Sequence, residues 1–276
     1  MLPVRTRDGR PLHAEVAGAG APTVVFEAGM GGSRHMWGGV VPAVAGRART
    51  VVYDRSGLGR SPVDDAPRDL ARLAADLLDV LDHVDGPVVL VGHSWGGPIV
   101  RVAAAERPER VAGLVLVDPT DEGCAAITSE QNERRSGSAS WLMPLMGRLG
   151  LVRLYVRRLA RQLPEPAASG LRAEDGTRTA IRTQVAEMTG SLADLRRLEA
   201  DPPTLPDVPL TVISGLQGGR MEGGQRPALV AAHRARADAA PQGRHVEAPG
   251  SGHMVPFTEP EVVVDEILRT LALVRT

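Results

Sequence analysis

Serine carries out acyl transfer when its hydroxyl stands clear of the chain, and one serine in this sequence is framed for that role. The run Val88-Val89-Leu90-Val91-Gly92-His93-Ser94-Trp95-Gly96-Gly97 reads as an apolar strand, then G-x-S-x-G, then a helical segment. A hydroxyl projects best from a sharp strand-to-helix turn, where side chains two residues to either side would collide. Glycine at 92 and 96 removes them. The helix that follows would aim its N-terminal dipole and the free N–H of Trp95 at the same point. With 31 glycines in 276 residues, the bare pattern arises by chance in about one chain in seven, so the flanking strand and helix carry the weight.

The elements that must position this serine follow from short β-branched runs. Thr23–Phe26, Thr50–Tyr53, Val88–Val91, Leu114–Val117 and Leu210–Ile213 suit buried strands of a parallel sheet, and Arg244–Val246 is a weaker sixth. Leu70, Leu73, Ala74, Leu77, Leu81 and Val84 repeat at helical spacing, and Pro260–Leu273 reads as a closing amphipathic helix. Strands alternating with helices predict a doubly wound, mostly parallel α/β sheet. The alternation stops between Pro119 and Pro206, where helical patterns such as Trp141–Gln162 occur without a convincing strand. The expected division is a core of residues 1–118 and 207–276 carrying an all-helical cap, 119–206.

Composition narrows the chemistry. The chain is 43% apolar and 24% charged with a net charge of −1, so no global field draws it to nucleic acid. Its single cysteine, Cys124, excludes a disulfide framework and a cysteine-built zinc site. All 32 cations are arginine, which removes Schiff-base and lysine-base mechanisms. No apolar run approaches a membrane span, so no membrane insertion is expected. The opening MLPVRTRDGR lacks a signal-peptide apolar core, which makes a cytoplasmic location the default expectation.

Four ordered motifs together resemble the α/β-hydrolase superfamily. Besides the serine turn, Glu27-Ala28-Gly29-Met30-Gly31-Gly32 is similar to its oxyanion loop, and Asp54-Arg55-Ser56-Gly57-Leu58-Gly59-Arg60-Ser61 to its D-x-x-G-x-G-x-S turn. Gly250-Ser251-Gly252-His253 with Glu259-Pro260 resembles its G-x-G-H…E-P ending. The resemblance implies an α/β-hydrolase fold with the helical cap inserted after the sixth strand. It makes Ser94 the nucleophile and His253 the base. His93 flanks the nucleophile, but neighbours in such a turn point apart, which suits a structural role.

The acid has two candidates. The turn after Leu210–Ile213 reads Ser214-Gly215-Leu216-Gln217-Gly218, with glycine where the family places aspartate. Asp118 ends the preceding strand, a position other branches use, and a strand end holds a carboxylate rigidly. Glu222 lies in the glycine-rich loop and would have to reach back. Asp118 is preferred, with Glu222 the alternative. Backbone N–H groups of Met30 and Trp95 would form the oxyanion hole, and Gly29 and Gly31 would let the backbone approach substrate.

Serine in place of an aspartate nucleophile points away from epoxide and alkyl-halide chemistry and toward a carboxylic ester or lactone, with a thioester as a further option. No cofactor or metal is required. Two other readings remain open: a lyase or cyclase using the same triad for acid–base work, and a ligand-binding signalling protein with slow turnover. Trp141, Met143 and Met146 of the cap would contact a largely aliphatic substrate, although such a stripe also suits packing of cap on core. From Arg134 to Pro164 there are seven arginines and no acid. That stretch could meet an anionic carrier, a coenzyme A thioester or a lipid surface, or form a solvated helix face.

Overall fold

The computed structural model describes residues 1–218 and 224–274. Its strands are β1 (Leu2–Arg5), β2 (Pro11–Ala17), β3 (Thr23–Glu27), β4 (Thr50–Tyr53), β5 (Val88–His93), β6 (Val111–Val117), β7 (Leu210–Gly215) and β8 (Gly243–Ala248). They form one sheet in the order β1-β2-β4-β3-β5-β6-β7-β8. From β4 through β8 every pairing is parallel, whereas β1 and β2 pair antiparallel with each other and β2 with β4. The β1–β2 hairpin is an addition to the sequence reading. Its signal was Asp8-Gly9 beside the alternation Leu12, Ala14 and Val16.

The helices are α1 (Val41–Ala45), α2 (Leu70–Leu81), α3 (Gly96–Glu106), α4 (Ala125–Thr128), α5 (Glu130–Arg148), α6 (Leu151–Ala160), α7 (Ala167–Glu174), α8 (Arg178–Met188), α9 (Ser191–Ala200), α10 (Arg226–Ala239), α11 (Val255–Thr258) and α12 (Pro260–Val274). Strand residues alternate between two cores, as a pleat requires. Val25, Leu90, Leu114, Leu116 and Val212 pack on α2, α3 and α10. Phe26, Val89, Val91, Val115 and Ile213 pack on α1 and α12 from the other side. Asp69 caps α2 by accepting the Arg72 N–H at 2.9 Å. Leu73 and Leu77 are fully buried by that helix, each contributing about 1.5–3 kcal/mol.

Helices α4 to α9 all lie between β6 and β7, and no strand interrupts them. The pattern at Trp141–Gln162 is two helices, because Gly150 takes a left-handed φ of 74° between α5 and α6. Among the described residues no helix is long and apolar enough to cross a membrane.

Candidate active site

The adjacent ends of β5 and β6 bring Ser94 and Asp118 together. His93 pairs with Val117 in the parallel ladder, so the next residue of each strand leaves the sheet at the same edge. Both residues adopt left-handed backbone, with φ of 53° at Ser94 and 42° at Asp118. Non-glycine residues pay for that conformation in strain, which surrounding bonds must hold. The Ser94 N–H donates to Val117 O at 3.1 Å and the Asp118 N–H to Ile213 O at 2.7 Å. A Cβ at Gly92 would lie 2.5 Å from Gly96 O, and one at Gly96 would lie 2.5 Å from Glu27 O. The turn therefore requires glycine at both positions.

His253 arrives on the loop after β8 and completes a chain of hydrogen bonds. Its Nδ1–H donates to Asp118 Oδ2 at 2.7 Å, and its Nε2 accepts the Ser94 hydroxyl at 2.9 Å. A carboxylate can only accept, so the proton sits on Nδ1 and leaves Nε2 free as a base. Burial raises the Asp118 pKa, but its hydrogen bond to His253 and the positive charge of Arg226 outweigh it and hold the carboxyl at about 2. Oδ1 of Asp118 also accepts the Gly215 N–H at 3.0 Å.

His93 packs against His253 with ring centroids 4.9 Å apart and donates from Nε2 to the His253 carbonyl at 2.8 Å. Burial, then the neighbouring His253, pushes its pKa down to about 3, so it stays neutral. Its place is beneath the loop that carries His253.

A cavity of about 410 Å³ opens above Ser94 and His253. Gly29, Met30, Gly31, Met254 and Phe257 line it from the core, and Met143, Met146, Leu151, Tyr155 and Ile181 from the inserted helices. Asp175 and Gln184 are polar members of the lining. Trp141 is a correction: it stands 76% exposed and takes no part in the cavity. The reason is helical phase. Residues 141 and 143 are separated by about 200° around α5, so an inward Met143 turns Trp141 outward. Glu222 lies outside the described residues.

Next to Ser94, no acceptor among the described residues takes the backbone N–H of Met30 or of Trp95. The loop holding Met30 is tied down by a buried charge network that sequence reading did not find. Arg55 donates to Ala28 O at 2.7 Å, Gly29 O at 2.8 Å and Glu27 Oε1 at 2.5 Å. The same guanidinium grips Glu187 of α8 at 2.8 and 2.9 Å, and Glu187 accepts the Gly31 N–H at 2.9 Å. The Tyr53 hydroxyl completes the cluster by donating to Glu27. Arg226 was also missed; no local pattern marks an arginine on α10 as a neighbour of Asp118. Among the described residues no cluster of side chains could hold a metal ion.

The sequence profile of the alpha/beta hydrolase family matches residues 24–266. Over 108 residues, 39% of this chain and 40% of the relative, the sequence is 38% identical to RutD of Azorhizobium caulinodans, named as a candidate carbamate hydrolase. Over 105 residues, 37% of this chain and 33% of the relative, it is 38% identical to a haloalkane dehalogenase of Mesorhizobium japonicum. The chain thus spans less than half the length of these curated relatives. Two solved structures share the fold. The epoxide hydrolase CorEH superposes with a TM-score of 0.74 at 22% identity, covering 96% of each chain. A thermophilic esterase from Thermogutta terrifontis gives 0.70 at 22% identity, covering 100% of this chain and 98% of its own.

Proposed function

The chain belongs to the alpha/beta hydrolase family, and within it we propose a serine hydrolase that cleaves a carboxylic ester or lactone through an acyl-enzyme. One observation carries this reading: the unbroken Ser94–His253–Asp118 hydrogen-bond chain at the base of an apolar cavity. Ser94 Oγ attacks the substrate carbonyl while His253 Nε2 takes its proton, and Asp118 steadies the imidazolium that results. The oxyanion forms beside the N–H groups of Met30 and Trp95, each worth about 3–4 kcal/mol to the transition state. His253 then protonates the leaving alcohol, and water reverses the sequence to free the acid.

A hydroxyl rather than a carboxylate at residue 94 sets this chemistry apart from alkyl displacement. The name of RutD supports adding a carbamate to the substrates tested, since it passes through the same tetrahedral geometry. The lining of Met, Leu, Ile and Phe side chains supports an aliphatic acyl group of moderate size. A fluorophosphonate probe tests the reading directly. Labelling of the wild type and its loss in Ser94→Ala, with parallel loss of p-nitrophenyl butyrate hydrolysis, is the expected result. An unlabelled wild type would remove the proposal.

A further inference from the structure

Helices α5 and α6 carry an apolar surface that extends beyond the cavity lining. Trp141, Leu145 and Leu149 follow at i, i+4 and i+8, which places them on one ridge. Leu151, Leu154 and Tyr155, at i, i+3 and i+4, share a face of the adjoining α6, and the six are 43–76% exposed. Large apolar side chains gathered on one exposed stretch mark interaction surfaces more often than scattered ones do. Leu151 and Tyr155 also line the cavity, so this surface borders the cavity mouth.

The same helices are cationic. Arg148, Arg153, Arg157, Arg158 and Arg161 are exposed or lie at the helix ends, and none has an ion-pair partner among the described residues. No acid occurs between residues 134 and 164 to neutralise them. Apolar side chains flanked by uncompensated arginines match the headgroup layer of an anionic bilayer, which offers hydrocarbon beneath negative charge. A second copy fits poorly, because pairing this face with itself would bring two sets of unpaired arginines together.

We propose that α5 and α6 dock on an anionic lipid surface, lying along it, with the cavity mouth toward the lipid so that a lipophilic acyl substrate enters from the membrane. Docking rests on the surface alone; delivery of substrate rests on the hydrolase reading above. Trp37 and Trp95 are buried and Trp141 is exposed, so a blue shift of the emission on docking reports Trp141.

The test mixes the full chain with vesicles of phosphatidylglycerol and phosphatidylcholine, or of phosphatidylcholine alone. The expected result is co-sedimentation and a blue-shifted emission on the anionic vesicles, with binding at least tenfold weaker on neutral ones and lost at high salt. Leu149→Ser with Leu154→Ser should cut binding about tenfold or more, and each arginine replaced by glutamine at 153, 157 or 158 about fivefold. Both sets should leave hydrolysis of p-nitrophenyl acetate unchanged. Absence of binding to either vesicle, or equal binding to both, overturns the proposal. So does a dimer in sedimentation velocity that the double serine variant dissociates, since a second copy would then own the surface. Ester hydrolysis without vesicle binding refutes docking alone, whereas vesicle binding without Ser94 labelling upholds docking and removes the acyl substrate.

Discussion

One guanidinium nitrogen of Arg226 donates to both carboxylate oxygens of Asp118, at 2.7 Å each. Arg226 is nearly buried and Asp118 wholly so, which puts a cation directly behind the group that steadies His253. A positive charge there opposes formation of the imidazolium. Removing it in Arg226→Met should move the acidic limb of the kcat/KM profile to higher pH by about one to two units. Arg226→Lys should hold the limb near its wild-type position. A limb that stays put in Arg226→Met would reduce the residue to packing.

Asp118 as the triad acid predicts a large and selective loss. Asp118→Asn should lower kcat on the order of 10⁴-fold, because the amide favours the wrong imidazole tautomer. Glu222→Gln should leave kcat within about twofold. The reverse pattern would transfer the role to Glu222.

Arg55 predicts a loss of both stability and activity. Arg55→Met would strand the buried carboxylates of Glu27 and Glu187, at about 3–5 kcal/mol in urea unfolding. Arg55→Lys should recover part of that stability and still lose about tenfold or more in kcat. A single ammonium cannot span two carbonyls and two carboxylates. Full activity in Arg55→Lys would show that the loop holding Met30 does not depend on the fork.

Asp175 predicts an inverted dependence of stability on pH. Burial, with the nearby negative charges of Asp54 and Glu174, outweighs its bonds to Ser33 and raises its pKa to about 7. The folded protein keeps this proton up to that pH, whereas the unfolded chain releases it near 3.8. This group's contribution to stability therefore declines as pH rises from about 4 to 7, by at most about 4 kcal/mol. Asp175→Asn should gain Tm over the wild type progressively across that interval and keep a constant difference above it. Parallel Tm curves would contradict the shift.

Gly96→Ala should cost more than about 2 kcal/mol and abolish labelling of Ser94, since its Cβ would meet backbone of β3 rather than a movable side chain. Gly46→Ala, with an ordinary φ of −68° and its nearest contact at 3.4 Å, should be close to neutral. Thermal unfolding of the pair checks both expectations.

What the sequence disclosed depended on the range of the constraint. The serine turn is a pattern of five residues beside an apolar run, so Gly92, Ser94 and Gly96 were legible, although the backbone that forbids a Cβ at Gly96 belongs to β3. Strands β3 to β7 were legible because both faces are buried and the runs are short, β-branched and mostly apolar. The β1–β2 hairpin, with one face in water, left only a short alternation. Trp141 was misplaced because the apolar composition of the segment outweighed its spacing, which alone puts it about 200° from Met143. Arg226 meets Asp118 across 108 residues, and Glu187 meets Gly31 across 156. Neither partnership leaves a periodic or local trace, so only the folded chain reveals it.

The carboxylate of Glu187 has a bearing on engineering. It belongs to α8, yet it holds the Gly31 N–H and the Arg55 fork of the sheet core. A chimera that exchanges the inserted helices for those of a relative would thus remove part of the scaffold of the loop beside Ser94 along with the old cavity walls. Unless the donor segment supplies a carboxylate at the same point, the graft leaves a buried arginine half-paired and a loop unfastened. The cavity wall is not a detachable module, and its redesign has to travel with residue 187.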